Sequence, residues 1–300
     1  MKGALSFLQV IRRDPVLALC AALLLAIVLA AVAGLPLSPY TYDQISDASL
    51  QPPSRAHWFG TDANGRDLLT RTLFGARISL LIGAVGAAVS FAVGVTYGMI
   101  SGYAGGRLDN LMMRVVEILY SLPNLVLVIV LVTMLDAPTA ELLHRLGLTH
   151  ISPRLVLIVA FLGLTEWMTM ARIVRGQVLV LRQQPFIQAA QALGQSHFRI
   201  LGKHLLPNLL GIIVVYLTLT VPAIMLDEAF MGFLGVGLQP PLASWGTLVS
   251  EAAALINPIR LYWWMLVFPG GMMTLTLLAL NFLGDGLRDA LDPRMGGERK

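Results

Sequence analysis

No charged side chain occurs between Ile78 and Gly106, a run of 29 residues. About 20 apolar residues suffice for a helix to cross a bilayer, and a backbone in lipid must satisfy its own hydrogen bonds, so this run reads as a membrane-spanning helix. Within it Gly86, Ser90, Gly94, Gly98 and Gly102 recur every four residues, which lines one face with small side chains. Helices in lipid associate through fit and dispersion, so the stripe predicts the close approach of a second helix. Further apolar runs lie within residues 15–36, 111–135, 154–170, 209–226 and 263–283. The second of these holds Pro123 in its interior, which predicts a kink. The chain is 56% hydrophobic and 13% charged, where soluble domains carry roughly 25% charge. The fold class is an all-α integral membrane protein with six transmembrane helices.

The connections set the organisation. Residues 1–36 form a short tail and a first helix, which is too long for a signal-peptide core and has no small-residue cleavage site after it. Residues 37–75 are polar and Pro-rich and read as an external segment. Residues 136–153 read as an external connection and 227–262 as a shallow external segment, since Pro240-Pro241 oppose a continuous helix. Residues 284–300 read as a polar tail. Of the 21 Lys and Arg residues, Arg55, Arg66, Arg71, Arg77, Arg145, Arg154 and Arg260 fall on one side and the other 14 on the opposite side. The positive-inside rule therefore puts both termini and the segment 173–207 in the cytoplasm. Tyr262, Trp263 and Trp264 read as an interfacial aromatic anchor.

Several chemistries find no residues here. The three lysines, Lys2, Lys203 and Lys300, sit in no Gly-x-x-x-x-Gly-Lys frame, so ATP is not cradled in the P-loop manner. The five histidines form no His-Glu-x-x-His pair, and the single Cys20 lies in an apolar run, so no metal site is expected. No Gly-x-Ser-x-Gly elbow is present. The net charge of +4 comes from basic residues scattered at helix ends, a membrane pattern and not a nucleic-acid one. Such a chain is a conduit, not an enzyme. Glu166 interrupts its apolar run at a cost of a few kcal/mol, so it must face protein or water.

One stretch stands apart from the spans. Residues 184–208 contain no acid, as does the whole interval between Glu166 and Asp227. Phe186, Ala190, Leu193, His197 and Leu201 recur at helical spacing, with Gln188, Gln191, Gln195 and Arg199 opposite. Gly194 is placed to end one short helix in a left-handed cap, Ser196 to start another, and Pro207 to close it. The prediction is a helix-turn-helix at the membrane surface.

That stretch resembles the signature loop of bacterial ABC-importer permeases, in which Glu-Ala-Ala is followed by Gly and then by Leu-Pro. Ala189, Ala190, Gly194, Leu206 and Pro207 match in order and spacing, and Gln188 stands where the family usually has Glu. Other stretches are similar to the oligopeptide/dipeptide permease subfamily. They are residues 59–67, 101–107, 113–117, 171–176, 233–237, 244–246 and 284–293. The chain looks most like the second of the two permease subunits of such an importer. The resemblance implies a type I ABC-importer transmembrane fold, with a five-helix core over 76–283 and a cytoplasmic coupling helix. It implies ATPase coupling through Phe186, Gln188, Ala189, Ala190, Leu193, Gly194, His197 and Pro207. It implies as partners a homologous second permease, two ATPase subunits that bind ATP and Mg, and an external peptide-binding protein, all at a bacterial inner membrane. This chain itself would hold no cofactor. Glu117, Tyr120, Asn124 and Glu166 are candidates for lining the path, and Asp62, Asn64, Arg66 and Asp67 for touching the binding protein or for shaping a turn. The substrate could equally be nickel, glutathione or another small solute of the family, and an ion-coupled secondary transporter is the more distant alternative.

Overall fold

The computed structural model describes residues 14–257 and 260–291. The basic residues counted at the termini, Lys2, Arg12, Arg13, Arg294, Arg299 and Lys300, lie outside the described residues, as do Asp292 and Pro293. Among the described residues six helices are long and apolar enough to cross a membrane, and no named strand occurs. The all-α reading holds.

Helix α1, Pro15–Leu37, starts where the Asp14 side chain accepts from the amides of Val16 and Leu17, with Pro15 in the first turn. Helix α2, Leu68–Ala104, starts well before the uncharged run, because Asp67 caps it by accepting from the Thr70 amide at 2.8 Å. Its 37 residues span about 55 Å at 1.5 Å per residue. Arg71 and Arg77 are therefore helical, not part of an external loop. Gly105, with φ +65°, stops α2 and turns the chain into α3, Gly106–Tyr120.

The kink expected at Pro123 is a break. Helix α3 ends at Tyr120, Ser121 and Leu122 form a turn, and Pro123 is extended (ψ 97°) ahead of α4, Asn124–Arg145. A proline ring disfavours the α conformation in the residue before it, and here, unlike at Pro138 or Pro222, the chain leaves the helix. Helix α5, Pro153–Leu181, starts at Ser152. The connection read as 136–153 is thus helical through Arg145, and 173–181 belongs to a span and not to a loop.

The small-residue stripe of α2 lies on α5. A Cβ built on Gly94 would sit 2.7 Å from the Trp167 carbonyl oxygen and from the Met170 Cβ, and one on Gly98 would sit 2.5 Å from the Ala171 carbonyl. Both distances are shorter than any real contact, so only glycine permits this approach.

After a hairpin described below, α8 runs Leu206–Phe233, past the expected end at residue 226, and buries Glu228. Short helix α9, Trp245–Ala254, is held by a reciprocal Ser244–Thr247 cap, so part of 227–262 is an ordered packed element. Trp245 is fully buried and its indole donates to the Thr72 carbonyl at 3.0 Å. Helix α10, Trp263–Leu291, continues through the expected polar tail. Gly284 and Gly286 let it lie close to Leu219 and Leu17. Helix α1 covers α2 and α10 through Ile27 and Ala31 and exposes most of its other apolar side chains.

Candidate functional site: the hairpin and the two ends of the bundle

The hairpin is made of two pieces joined at one glycine. Helix α6, Pro185–Ala192, begins on a proline and ends at Leu193. Gly194 has φ +72°, its amide donates to the Gln191 carbonyl, and the Gln195 amide reaches back to the Ala190 carbonyl at 3.1 Å. This is the left-handed cap that the sequence predicts. Next comes α7, His197–Arg199, and then a π-type turn, Ile200–Leu205, which runs into α8. Ser196 occupies the N-cap position but its hydroxyl makes no capping bond. Pro207 does not close a helix. It sits in the first turn of α8, where a missing N–H and a fixed φ are tolerated.

The apolar face read across residues 186–201 is also corrected. Ile187 and Ala190 are the buried residues of α6, packed with Val178, Ile200, Leu205 and Leu209. Phe186, Gln188, Ala189, Leu193, Gly194 and His197 are exposed. The turn at Gly194 resets the helical phase, so a periodicity counted through it loses meaning. Leu193 is 80% exposed and Phe198 89%. Three large apolar side chains, Phe186, Leu193 and Phe198, therefore stand out from the polar end of the bundle.

Other residues fix the hairpin in place. The Tyr103 hydroxyl at the end of α2 pairs with His197 Nδ1 at 2.9 Å and accepts from Gln191 at 3.4 Å. Gln195 bonds His204 at 2.9 Å, and the Gln188 amide donates to the Gln183 carbonyl at 3.2 Å. Arg182 donates to the terminal carbonyls of α2, on Gly102 and Tyr103. Nearby, Asp109 in the first turn of α3 accepts from Arg175 Nε and Nη2, both at 2.7 Å, and from the Ser101 hydroxyl. The Arg175 hydrogen bonds hold the Asp109 carboxyl below its usual range, against the opposing effect of burial.

The residues predicted to line a path fall on three helices, α3, α4 and α5. The Tyr120 hydroxyl bonds Thr169 at 2.5 Å and the Arg172 guanidinium lies 4.1 Å over its ring. Glu117 pairs with Arg114 at 3.1 Å on the exposed face of α3. Of these, the Tyr120 contacts join α3 to α5, and the Glu117 pair stays within α3. Glu166, on α5, is half-buried with no hydrogen bond or ion pair among the described residues, and its charged neighbour is Asp227 of α8. Asn124 opens α4, half-buried.

At the opposite end the predicted contact residues turn inward. Asp62, Arg66 and Asp67 are buried, and only Asn64 of the four is exposed. Asp62 accepts from the amides of Asn64 and Arg66, from Arg66 Nε at 2.7 Å and from Arg71 at 2.6 Å. Arg71 also grips Glu251 of α9 through both nitrogens, at 2.6 and 2.9 Å. Asp67 caps α2 and pairs with His57 at 2.9 Å. These side chains staple the segment to the bundle.

With this geometry in view, residues 94–297 match the family described as binding-protein-dependent transport system inner membrane component. The chain belongs to that family. It is 44% identical over 275 residues to the dipeptide transport system permease protein DppC of Bacillus subtilis (strain 168), covering 91% of this chain and 80% of that protein. It is 43% identical over 261 residues to the oligopeptide transport system permease protein OppC of Escherichia coli (strain K12), covering 86% and 80%. A chain in an inward-facing structure of the MetNI methionine ABC transporter superposes with TM-score 0.54 at 20% identity, covering 74% of this chain and 96% of that one. The transmembrane fold expected from the resemblance is the one found.

Within this inner-membrane component, sequence reasoning missed Phe198, Ile187 and Asp227. Phe198 follows the turn and carries no helical phase, so only its exposure reveals it. Asp227 was readable as a second acid in an apolar run, one residue outside the span boundary drawn at Leu226.

Proposed function

We propose that this permease forms half of the translocation pathway of an ATP-driven importer of oligopeptides or dipeptides, with a second homologous permease forming the other half. Its hairpin, residues 184–208, is the handle that docks into a groove on an ATPase subunit, and the two ATPase subunits of the importer bind the ATP and Mg. An external binding protein delivers the peptide at the opposite end, where Ala63 and Asn64 form an exposed tip. The hairpin and both termini then lie in the cytoplasm, as the 14-to-7 excess of basic residues supports.

The observation that carries this reading is the exposure of Leu193 and Phe198, with Phe186 beside them, on a short hairpin that hydrogen bonds hold to the end of α2. Large apolar side chains at a polar end fit a protein groove. Force passes only if the groove grips the hairpin differently in the two nucleotide states, since a ligand shifts a conformational equilibrium by its differential affinity alone. The peptide assignment rests on what the relatives carry. A path with few fixed charges also suits cargo whose side chains vary.

The test is uptake by the assembled importer in vesicles, with labelled di- and oligopeptides. Leu193→Asp with Phe198→Asp should abolish peptide uptake and release the ATPase from transport control, while membrane insertion of the chain is unchanged. Undiminished uptake by that double variant would defeat the coupling assignment.

A further inference from the structure

The segment before α2 has one side that makes internal bonds and one that does not. Its inner side is spent on the bundle, through His57, Thr61, Asp62, Arg66 and Asp67. Its outer side shows Trp58, 70% exposed, next to Phe59.

The depth of Trp58 follows from its neighbours. Phe59 stacks on Phe268 of α10 with ring centroids 3.9 Å apart and an interplanar angle of 4°. The Trp264 indole donates to the Thr61 carbonyl at 3.3 Å, and a Cβ on Gly60 would strike the Trp264 ring. Residues 59–61 thus run beside the opening turns of a membrane-crossing helix. Phe268 lies about 7 Å along that helix from its first residue, Trp263. Trp58 therefore lies level with the opening turns of α10.

The chemistry of the rim agrees. Trp263 is 46% exposed, Leu261 70% and Ile256 65%. Arg55, three residues before Trp58, and Arg260, next to Leu261, are exposed and form no ion pair among the described residues. Tryptophan rings prefer the layer where one edge is apolar and the other wet, and guanidinium groups bind phosphate.

We infer that Trp58, Trp263, Leu261 and Ile256, with Arg55 and Arg260 at the edge, form a phospholipid-contacting surface that seats the segment before α2 in the headgroup layer. The ion network of Arg71 with Asp62 and Glu251 makes that segment rigid, so the surface fixes the depth of this end of the bundle. Neither the direction of transport nor the identity of the cargo enters this inference.

The experiment uses the full chain in the assembly it purifies with, carrying Cys20→Ser and one of Trp58→Cys, Trp263→Cys or Asn64→Cys, each with a nitroxide label. The protein is placed in phosphatidylethanolamine–phosphatidylglycerol vesicles, and collisions with oxygen, which concentrates in lipid, are compared with those of a neutral nickel chelate, which stays in water. The oxygen-to-nickel ratio should be several-fold higher at positions 58 and 263 than at 64. A ratio at 58 no higher than at 64 overturns the inference, and so does a label at 58 shielded from both reagents, which would mean that a protein partner covers it. A second reading avoids the substitution by cysteine. Brominated acyl chains should quench the emission that Trp58→Phe removes, and acrylamide should quench it poorly; the opposite order overturns the inference.

Discussion

Arg71 and Glu251, 180 residues apart in sequence, meet in a two-nitrogen ion pair while the Arg71 side chain is closed to solvent. Asp62 accepts from the same guanidinium at 2.6 Å. The arrangement joins the segment before α2, the first turn of α2 and helix α9 into one body. Breaking a buried pair on one side leaves an uncompensated charge, which costs about 3–5 kcal/mol. Asp62→Ala should therefore lower the thermal midpoint of the detergent-purified protein strongly. Arg66 and Arg71 are then left with Glu251 alone, so adding Arg71→Met should recover part of the loss by removing the excess positive charge. Equal midpoints for the single and double variants would contradict this account.

Gly94 tests the contact between α2 and α5. Its missing Cβ lets α2 reach the Trp167 carbonyl, so Gly94→Ala should destabilise by about 1–3 kcal/mol through overpacking. Gly94→Leu should separate the helices and reduce the yield of folded protein. Gly176, on an open face of α5, provides the control. Gly176→Ala should be neutral or stabilise by up to about 1 kcal/mol from helix propensity. Thermal midpoints of the three variants measured side by side decide the matter.

The Asp109–Arg175 pair predicts a pH dependence with a definite sign. Folding lowers the Asp109 pKa, with the Arg175 hydrogen bonds as the main cause. The folded state therefore binds this proton less tightly than the unfolded chain does. The stabilisation is fully present above the ordinary aspartate range, near pH ~4, and is lost as pH falls toward the lower folded-state value. The thermal midpoint should fall on acidification in that window. Asp109→Asn should flatten the part of the slope due to this group, and a slope identical to that of the native chain would argue against it.

The hairpin separates two kinds of damage. Ala190 is 4% exposed and packs inward, so Ala190→Arg should unseat α6 and lower stability along with transport. Gly194→Ala forces a left-handed conformation on a residue with a Cβ and should cost about 1–2 kcal/mol. Leu193→Asp and Phe198→Asp change exposed side chains and should leave stability within about 0.5 kcal/mol of native, with the thermal midpoint little changed. Uptake should fall in all of them, but only the exposed pair should do so without a change in midpoint.

The sequence made legible what depends on short spacing. The uncharged runs located the crossings, the four-residue stripe on α2 located its contact with α5, and Gly194 located the hairpin turn. Contacts between distant positions were not legible. Asp62, Arg66 and Asp67 look like an exposed polar turn until Arg71 and Glu251 are placed beside them, and nothing local signals Glu251. Pro123 could bend or break a helix, and only the turn at Ser121-Leu122 settles which. The order of 245–254 rests on Trp245 reaching the Thr72 carbonyl, another long-range bond. Periodicity also misled where the chain changed direction, as it did across Gly194.

The π-type turn between Arg199 and Leu206 keeps the backbone helical from His197 to Phe233, 37 residues without a gap. Such a rod is about 55 Å long. A push received at Phe198 therefore travels along one helix toward the buried Glu228, which accepts from Ser244 near its other end, with Pro222 as a weak point on the way. Helix α6 rests on that helix through Ile187 and Ala190, so a load on either half of the hairpin is shared with the other.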